Sequence, residues 1–176
     1  MPNGRRVDAF VAVGSNIEPA RNVPAALDLL LQEVRVKAVS TMYRAAPVDR
    51  PGQPPFVNGV WRIETDRTAR DLKYAVLREI ERRLGRVRTD DACAARPIDL
   101  DIALFGNAVI EEPDLVCPDP DIRRRPFLAV PLAELAPDLP LPGTDGRLAD
   151  LPVCRDTQGL EPLPHLTDQL RRRIAR

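Results

Sequence analysis

Between Val7 and Phe105 the apolar residues switch between a period of two and a period near 3.6, and this ordered switching restricts the fold more than any other feature. Val7 to Val13 reads as a buried strand, closed by the turn residues Gly14-Ser15-Asn16. From Pro19 to Val34 the positions Val23, Ala26, Leu27, Leu30, Leu31 and Val34 recur at helical spacing. Val36 to Tyr43 is short and rich in β-branched residues, a second strand. Ala45 to Pro55 carries Pro47, Pro51, Pro54 and Pro55, which cannot join a ladder, so it is expected as a loop. Phe56 to Thr65 alternates and predicts a third strand, antiparallel to the second. Thr68 then caps a helix to Leu84, with Leu72, Val76, Ile80 and Leu84 as its stripe and Gly85 at its end. Pro97 to Phe105 is the fourth strand, turned by Gly106-Asn107.

The order β-α-β-β-α-β predicts an α+β fold, a ferredoxin-like sandwich with a four-stranded antiparallel core sheet and two helices on one face. A small hairpin near Val109 and Val116 and a helix from Pro126 to Leu135 are expected next. The segment Pro137 to Pro164 is rich in Pro and Gly, and a short polar helix is expected from Leu166 to Ile174. This divides the chain into a domain over 1–145 and a C-terminal extension over 146–176, mostly loop with that short helix.

Charge narrows the function classes. The 26 basic side chains match 26 acidic ones, which argues against broad electrostatic binding of nucleic acid. Arginines cluster at Arg82-Arg83, Arg123-Arg124-Arg125 and Arg171-Arg172-Arg173, and any one cluster taken alone reads as a solvated face. Cys93, Cys117 and Cys154 show no C-x-x-C spacing, as expected of reduced thiols in a cytoplasmic protein. No secretory h-region follows Met1 to Arg6, and no apolar run approaches the roughly 18 residues of a membrane span. A cytoplasmic monomer without nucleic-acid or membrane partners is expected. His165 is the single histidine, so a His-rich zinc site is excluded and carboxylates and arginines are left to do any chemistry.

The fourth strand carries the chemical signal. Asp99 and Asp101 share one face of it, about 6.6 Å apart, while Ile98, Leu100 and Ile102 point to the other. Such a pair can hold Mg²⁺, which takes a few carboxylates and fills its remaining positions with phosphate oxygens and water. On spacing alone, two solvated aspartates on an exposed strand face remain the commoner reading. Arg86, Arg88 and Arg96 change the balance, because they bracket a loop that ends at the pair and guanidinium groups fork onto phosphate oxygens. That loop reads as a mobile lid over a polyphosphate. Neither a Walker-type loop nor a kinase Gly-rich loop is present.

V-A-V-G-S-N at Val11 to Asn16, Y-R-x-x-P at Tyr43 to Pro47, F-V-N at Phe56 to Asn58, E-x-x-x-G-R-V-R at Glu81 to Arg88 and R-x-x-D-L-D-I at Arg96 to Ile102 follow in one order. With L-F-G at Leu104 to Gly106 and R-x-F-x-x-x-P-L at Arg125 to Leu132, they resemble 6-hydroxymethyl-7,8-dihydropterin pyrophosphokinases of folate biosynthesis. The resemblance implies transfer of pyrophosphate from ATP to the pterin's hydroxymethyl oxygen, with release of AMP and use of two Mg²⁺ ions. It implies Asp99 and Asp101 as metal ligands and Arg86 and Arg96 as stabilisers of the transferring group. Asn58, Phe56, Phe127, Pro47 and Val48 would form the pterin pocket, and Arg125, Arg88 and Ile102 the ATP side. The chain departs from the family's pattern at Asp119-Pro120, where a histidine is common, at Cys93, where an aromatic residue is usual, and at Ala92, usually basic. Ala103 is smaller than the usual aliphatic residue. A catalytically impaired pterin- or nucleotide-binding relative is the alternative, and an interaction module of the same fold a third.

Overall fold

The computed structural model describes residues 6–48, 51–91 and 93–175. Ala92 and positions 49–50 of the Pro-rich loop lie outside them. Strand β1 (Val7–Ser15) leads through a turn to helix α1 (Pro19–Leu30), which presents Val23, Ala26, Leu27 and Leu30 to the core. The expected second strand is two strands, β2 (Arg35–Val39) and β3 (Tyr43–Ala45), which pair with opposite halves of β4 (Phe56–Thr65). The break lies at 40–42, where Ser40 turns its hydroxyl onto the Val60 N–H at 2.9 Å and Met42 sinks fully into the core. Gly59 makes this possible, since a Cβ there would stand 2.3 Å from the Met42 sulfur.

Helix α2 covers 69–83 in three parts: α-helical Ala69–Asp71, π-helical Leu72–Leu77 and α-helical Arg78–Arg83. Thr68 caps it by accepting the Asp71 N–H, and Gly85 follows it with φ of 86°. Strand β5 (Asp99–Phe105) comes next, then a separate hairpin of β6 (Ile110–Glu112) and β7 (Leu115–Cys117). A 3₁₀ turn at Pro120–Arg123, helix α3 (Pro126–Leu135), 3₁₀ turns at Leu148–Asp150 and Pro152–Arg155, strand β8 (Glu161–Pro162) and helix α4 (Pro164–Ile174) complete the chain.

The main sheet is antiparallel in every pairing and runs β5-β1-β4-β3-β8, with β2 beside β3 on the same edge of β4. The molecule is thus mixed α/β, an antiparallel sheet with several helices. Its core has two parts. One face packs Val11, Trp61, Ile63 and Leu100 against α1, α2 and Leu170 of α4. On the other, Phe10, Val60 and Leu104 meet Leu128 and Leu132 of α3. The sequence reading gave helices to one face only; α3 covers the second because its buried residues match the apolar side chains that alternation leaves there.

Strict alternation fails at one place on β5. Val11 pairs with Ile102 while Phe10 pairs with Leu104, so Ala103 is an extra residue. Past this bulge Leu104 faces the side of Phe10, and Phe105 returns to the other core. The three cysteines are free thiols, and among the described residues no helix is long and apolar enough to cross a membrane.

Candidate active site

Three strands supply one row of side chains across the sheet. Gly14 on β1 pairs with Asp99 on β5 and with Asn58 on β4, and Ala12 pairs with Asp101. Gly14 therefore lies between the aspartate and the asparagine, and its missing side chain leaves a floor between them. Above this floor lies a cleft in two adjoining parts of about 270 Å³ each, which share Gly14, Asn58, Asp99, Asp121 and Phe127. One part is walled by Phe56, Pro47, Val48 and Arg125; the other collects Asp99, Asp101, Asp119 and Asp121.

Asp99 is held by two arginines. Arg86 Nη1 donates to Asp99 Oδ1 at 2.5 Å and to the Ile98 carbonyl at 3.3 Å, and Arg96 Nη1 reaches Asp99 Oδ2 at 2.8 Å. Burial alone would raise the pKa of Asp99, but the Arg86 and Arg96 guanidinium groups hold it below the ordinary aspartate value. The side chain still exposes 38% of its surface. Arg86 is anchored from behind by Glu81, whose side chain is 2% exposed. Glu81 also accepts from Arg88 at 2.6 Å and from the Leu100 N–H at 2.8 Å. Burial pushes the Glu81 carboxyl above its usual range, opposed by those donors.

Gly14 and Ser15, expected in a turn, belong to β1, and Ser15 and Asn16 at its end fix the chain at Arg96 and Pro97. Ser15 donates to the Pro97 carbonyl at 2.6 Å, and Asn16 both accepts the Arg96 N–H at 2.8 Å and donates its own N–H to the Arg96 carbonyl at 3.1 Å. Asn16 also donates to Gln53 at 3.2 Å, and Gln53 donates to the Cys93 carbonyl at 2.7 Å. Gln53 thus ties the Pro-rich loop to Cys93 at the wall of the cleft.

Asp99, Arg96, Asn58, Phe56, Phe127, Pro47, Val48 and Arg125 come together in the cleft's first part, and Asp101 joins Asp99 in the second. Arg86 lies behind Asp99, and the half-exposed Arg88 pairs with the buried Glu81 and lines neither part of the cleft. Ile102 does not join them: its side chain is 1% exposed, on the opposite face of β5, so it has no surface to offer a nucleotide base. Arg123 and Arg124 are exposed and line neither part of the cleft. Asp119 has a local task, since its Oδ1 accepts the Asp121 N–H at 2.8 Å and caps the 3₁₀ turn. Burial pushes its carboxyl up to about 6, with Asp121 and Asp101 adding to the effect.

Sequence reasoning missed Glu81, Lys73, Asn16 and Gln53 as parts of this site. A signal existed for two of them. Lys73, Leu77 and Glu81 are spaced by one helical turn, so two charged residues fall on the apolar stripe of α2. Lys73 Nζ lies 3.0 Å from Asp101 Oδ1.

Among the described residues no group of three or more His, Cys, Asp or Glu side chains forms a ready metal cage. Two carboxylates on one strand face beside an open cleft nevertheless fit Mg²⁺, which binds through one or two carboxylates and completes its shell with substrate phosphates and water.

A carboxylate braced by two arginines, with a second carboxylate beside it and a pocket with aromatic walls, is an arrangement suited to phosphoryl transfer. Residues 10–137 match the family model described as 7,8-dihydro-6-hydroxymethylpterin-pyrophosphokinase. The chain is 44% identical over 159 residues to the 2-amino-4-hydroxy-6-hydroxymethyldihydropteridine pyrophosphokinase of Pseudomonas aeruginosa, covering 88% of this chain and 96% of that one. It is 37% identical to the Haemophilus influenzae protein of the same name, over 78% of this chain and 87% of that one. It is also 35% identical to the Schizosaccharomyces pombe protein named Folic acid synthesis protein fol1, over 86% of this chain and 21% of that one. The chain belongs to the 7,8-dihydro-6-hydroxymethylpterin-pyrophosphokinase family and is, by that membership, a diphosphotransferase.

Proposed function

We propose that the protein transfers pyrophosphate from ATP to the hydroxymethyl oxygen of 6-hydroxymethyl-7,8-dihydropterin, giving AMP and the pterin diphosphate, as a step of folate biosynthesis. The observation that carries this reading is the row Asp99–Gly14–Asn58, which sets a carboxylate for phosphate chemistry and an amide for a flat heterocycle at the floor of one cleft. Asn58 pairs with the pterin's polar edge, Phe56 and Phe127 stack on its faces, and Pro47 and Val48 close on it from the loop. Arg96 and Arg125 meet the phosphates, with Arg88 at the outer end of the ATP side. Arg86 acts through Asp99: locked against Glu81, it keeps that carboxylate ionised and aimed at the cleft. Two Mg²⁺ ions held by Asp99 and Asp101 would supply the positive charge that the phosphate oxygens need as the new bond to β-phosphorus forms and the bond to AMP breaks. Catalysis by positioning and charge needs no histidine.

The strand order, with β2 and β3 taken as one edge, supports a ferredoxin-like sandwich over 1–145, to which 146–176 adds a strap. A cytoplasmic monomer that acts on small molecules completes the reading. Incubation with ATP, Mg²⁺ and the pterin tests it. Pterin-dependent AMP should form, and Asp99→Asn and Asp101→Asn should each lower kcat by at least about a hundredfold. Pterin binding without AMP at high enzyme concentration sinks the proposal.

A further inference from the structure

Lys73 is a buried cation in the wrong place for a surface charge. Its side chain is 10% exposed, on a helix stripe whose neighbours Leu72, Val76 and Leu77 belong to the core. A lysine is almost never buried without a partner. Here the partner is Asp101, with Nζ 3.0 Å from Oδ1. The backbone brings this about. Lys73 lies inside the π-helical Leu72–Leu77, and the Arg78 N–H bonds to its carbonyl five residues back. Among the described residues strand β5 is an outer strand of the sheet, paired with β1 alone, so a long side chain from α2 can pass around its edge to the cleft face.

The two carboxylates are therefore served differently. Asp99 is gripped through both oxygens by Arg86 and Arg96. Asp101 is held through one: Oδ1 takes Lys73 and the Ile102 N–H at 2.8 Å. Asp119 faces the same space, and the lysine also acts on it electrostatically. A cation that close to Asp101 neutralises the charge that would draw in a divalent ion before phosphates arrive. The hold on Oδ1 also fixes the plane of the carboxylate.

We propose that Lys73 is a positioning residue that keeps the nucleotide-free carboxylate pair a poor site for divalent cations, so that metal loading depends on substrate phosphates. This rests on the reading of Asp101 as a metal ligand. The test is Mn²⁺ binding to the nucleotide-free protein, followed by electron paramagnetic resonance of the free ion. Lys73→Met keeps the apolar stem, and should bind Mn²⁺ about tenfold more tightly than the parent. Lys73→Arg keeps the charge and should bind as weakly as the parent. A circular dichroism melt confirms that each variant is folded. In kinetics, Lys73→Met should reach half-maximal rate at lower Mg²⁺ while kcat falls, a split that lost packing alone does not produce. Unchanged or weaker Mn²⁺ binding by folded Lys73→Met overturns the proposal, as does no detectable binding by either protein. Asp101→Asn separates the two ideas: if it leaves Mn²⁺ binding by Lys73→Met untouched, the metal assignment itself fails.

Discussion

Gly14 shows how much of the site depends on one absent side chain. A Cβ at this position would lie 3.2 Å from Asn58 Oδ1 but 3.8 Å from Asp99 Cβ, the first tight and the second ordinary contact. Gly14→Ala should therefore disturb the asparagine and spare the aspartate. Steady-state kinetics should show KM for the pterin raised about tenfold with kcat within about twofold, given how steeply rate and binding respond to small misplacements. Equal loss in both constants would place the damage at Asp99 instead. Beyond a turn and its place in the V-A-V-G-S-N run, nothing in the sequence marks Gly14. Its meaning comes from the register that sets it between two other strands, and register is a property of pairing rather than of spacing. Asp99 and Asp101 were readable because alternation along a single strand suffices to put them on one face. Asp119 was readable only as an oddity. Its capping bond to Asp121 gives the aspartate a structural use independent of any ligand.

Helix α2 and strand β5 form the site's frame, and Glu81 is the joint between them. Its carboxylate takes the Arg86 and Arg88 guanidinium groups and the Leu100 N–H while almost fully buried. Removing it would leave a buried donor without an acceptor and a half-paired buried arginine, each costly. Glu81→Ala should cost about 3 kcal/mol, or roughly 6–12 °C in thermal unfolding. Glu81→Gln, which keeps an acceptor, should lose less. A loss below about 1 kcal/mol for the alanine variant would show that Glu81 contributes little to the joint. The helices and most strands follow from local pattern. The break between β2 and β3, the Ala103 bulge and the π turn at Lys73 do not, because each is set by a contact distant in sequence: Met42 entering space left by Gly59, Leu104 meeting α3, and Lys73 reaching β5. Sequence periodicity assumes regular elements, and these are the irregular ones.

At the scale of the whole molecule, the C-terminal strap is part of the fold's closure. Leu170 is fully buried with the helices of one face, and Leu148 is fully buried against α3 on the other. Leu170→Ala should cost about 3 kcal/mol, read from urea unfolding, as for other large-to-small core changes. An effect under about 1 kcal/mol would mark α4 as an appendage. The strap also supplies hydrogen bonds where β2 gives way to β3. The Met42 N–H donates to the Thr167 hydroxyl at 2.9 Å, and the Met42 carbonyl accepts the Leu163 N–H at 2.8 Å. These partners lie 125 residues apart for the first bond. During synthesis at about 5–20 residues per second, the segment before the Pro-rich loop must therefore wait on the order of ten seconds for its partner to leave the ribosome. Until then the edge of the sheet is open, and shielding it from neighbouring chains falls to the cell.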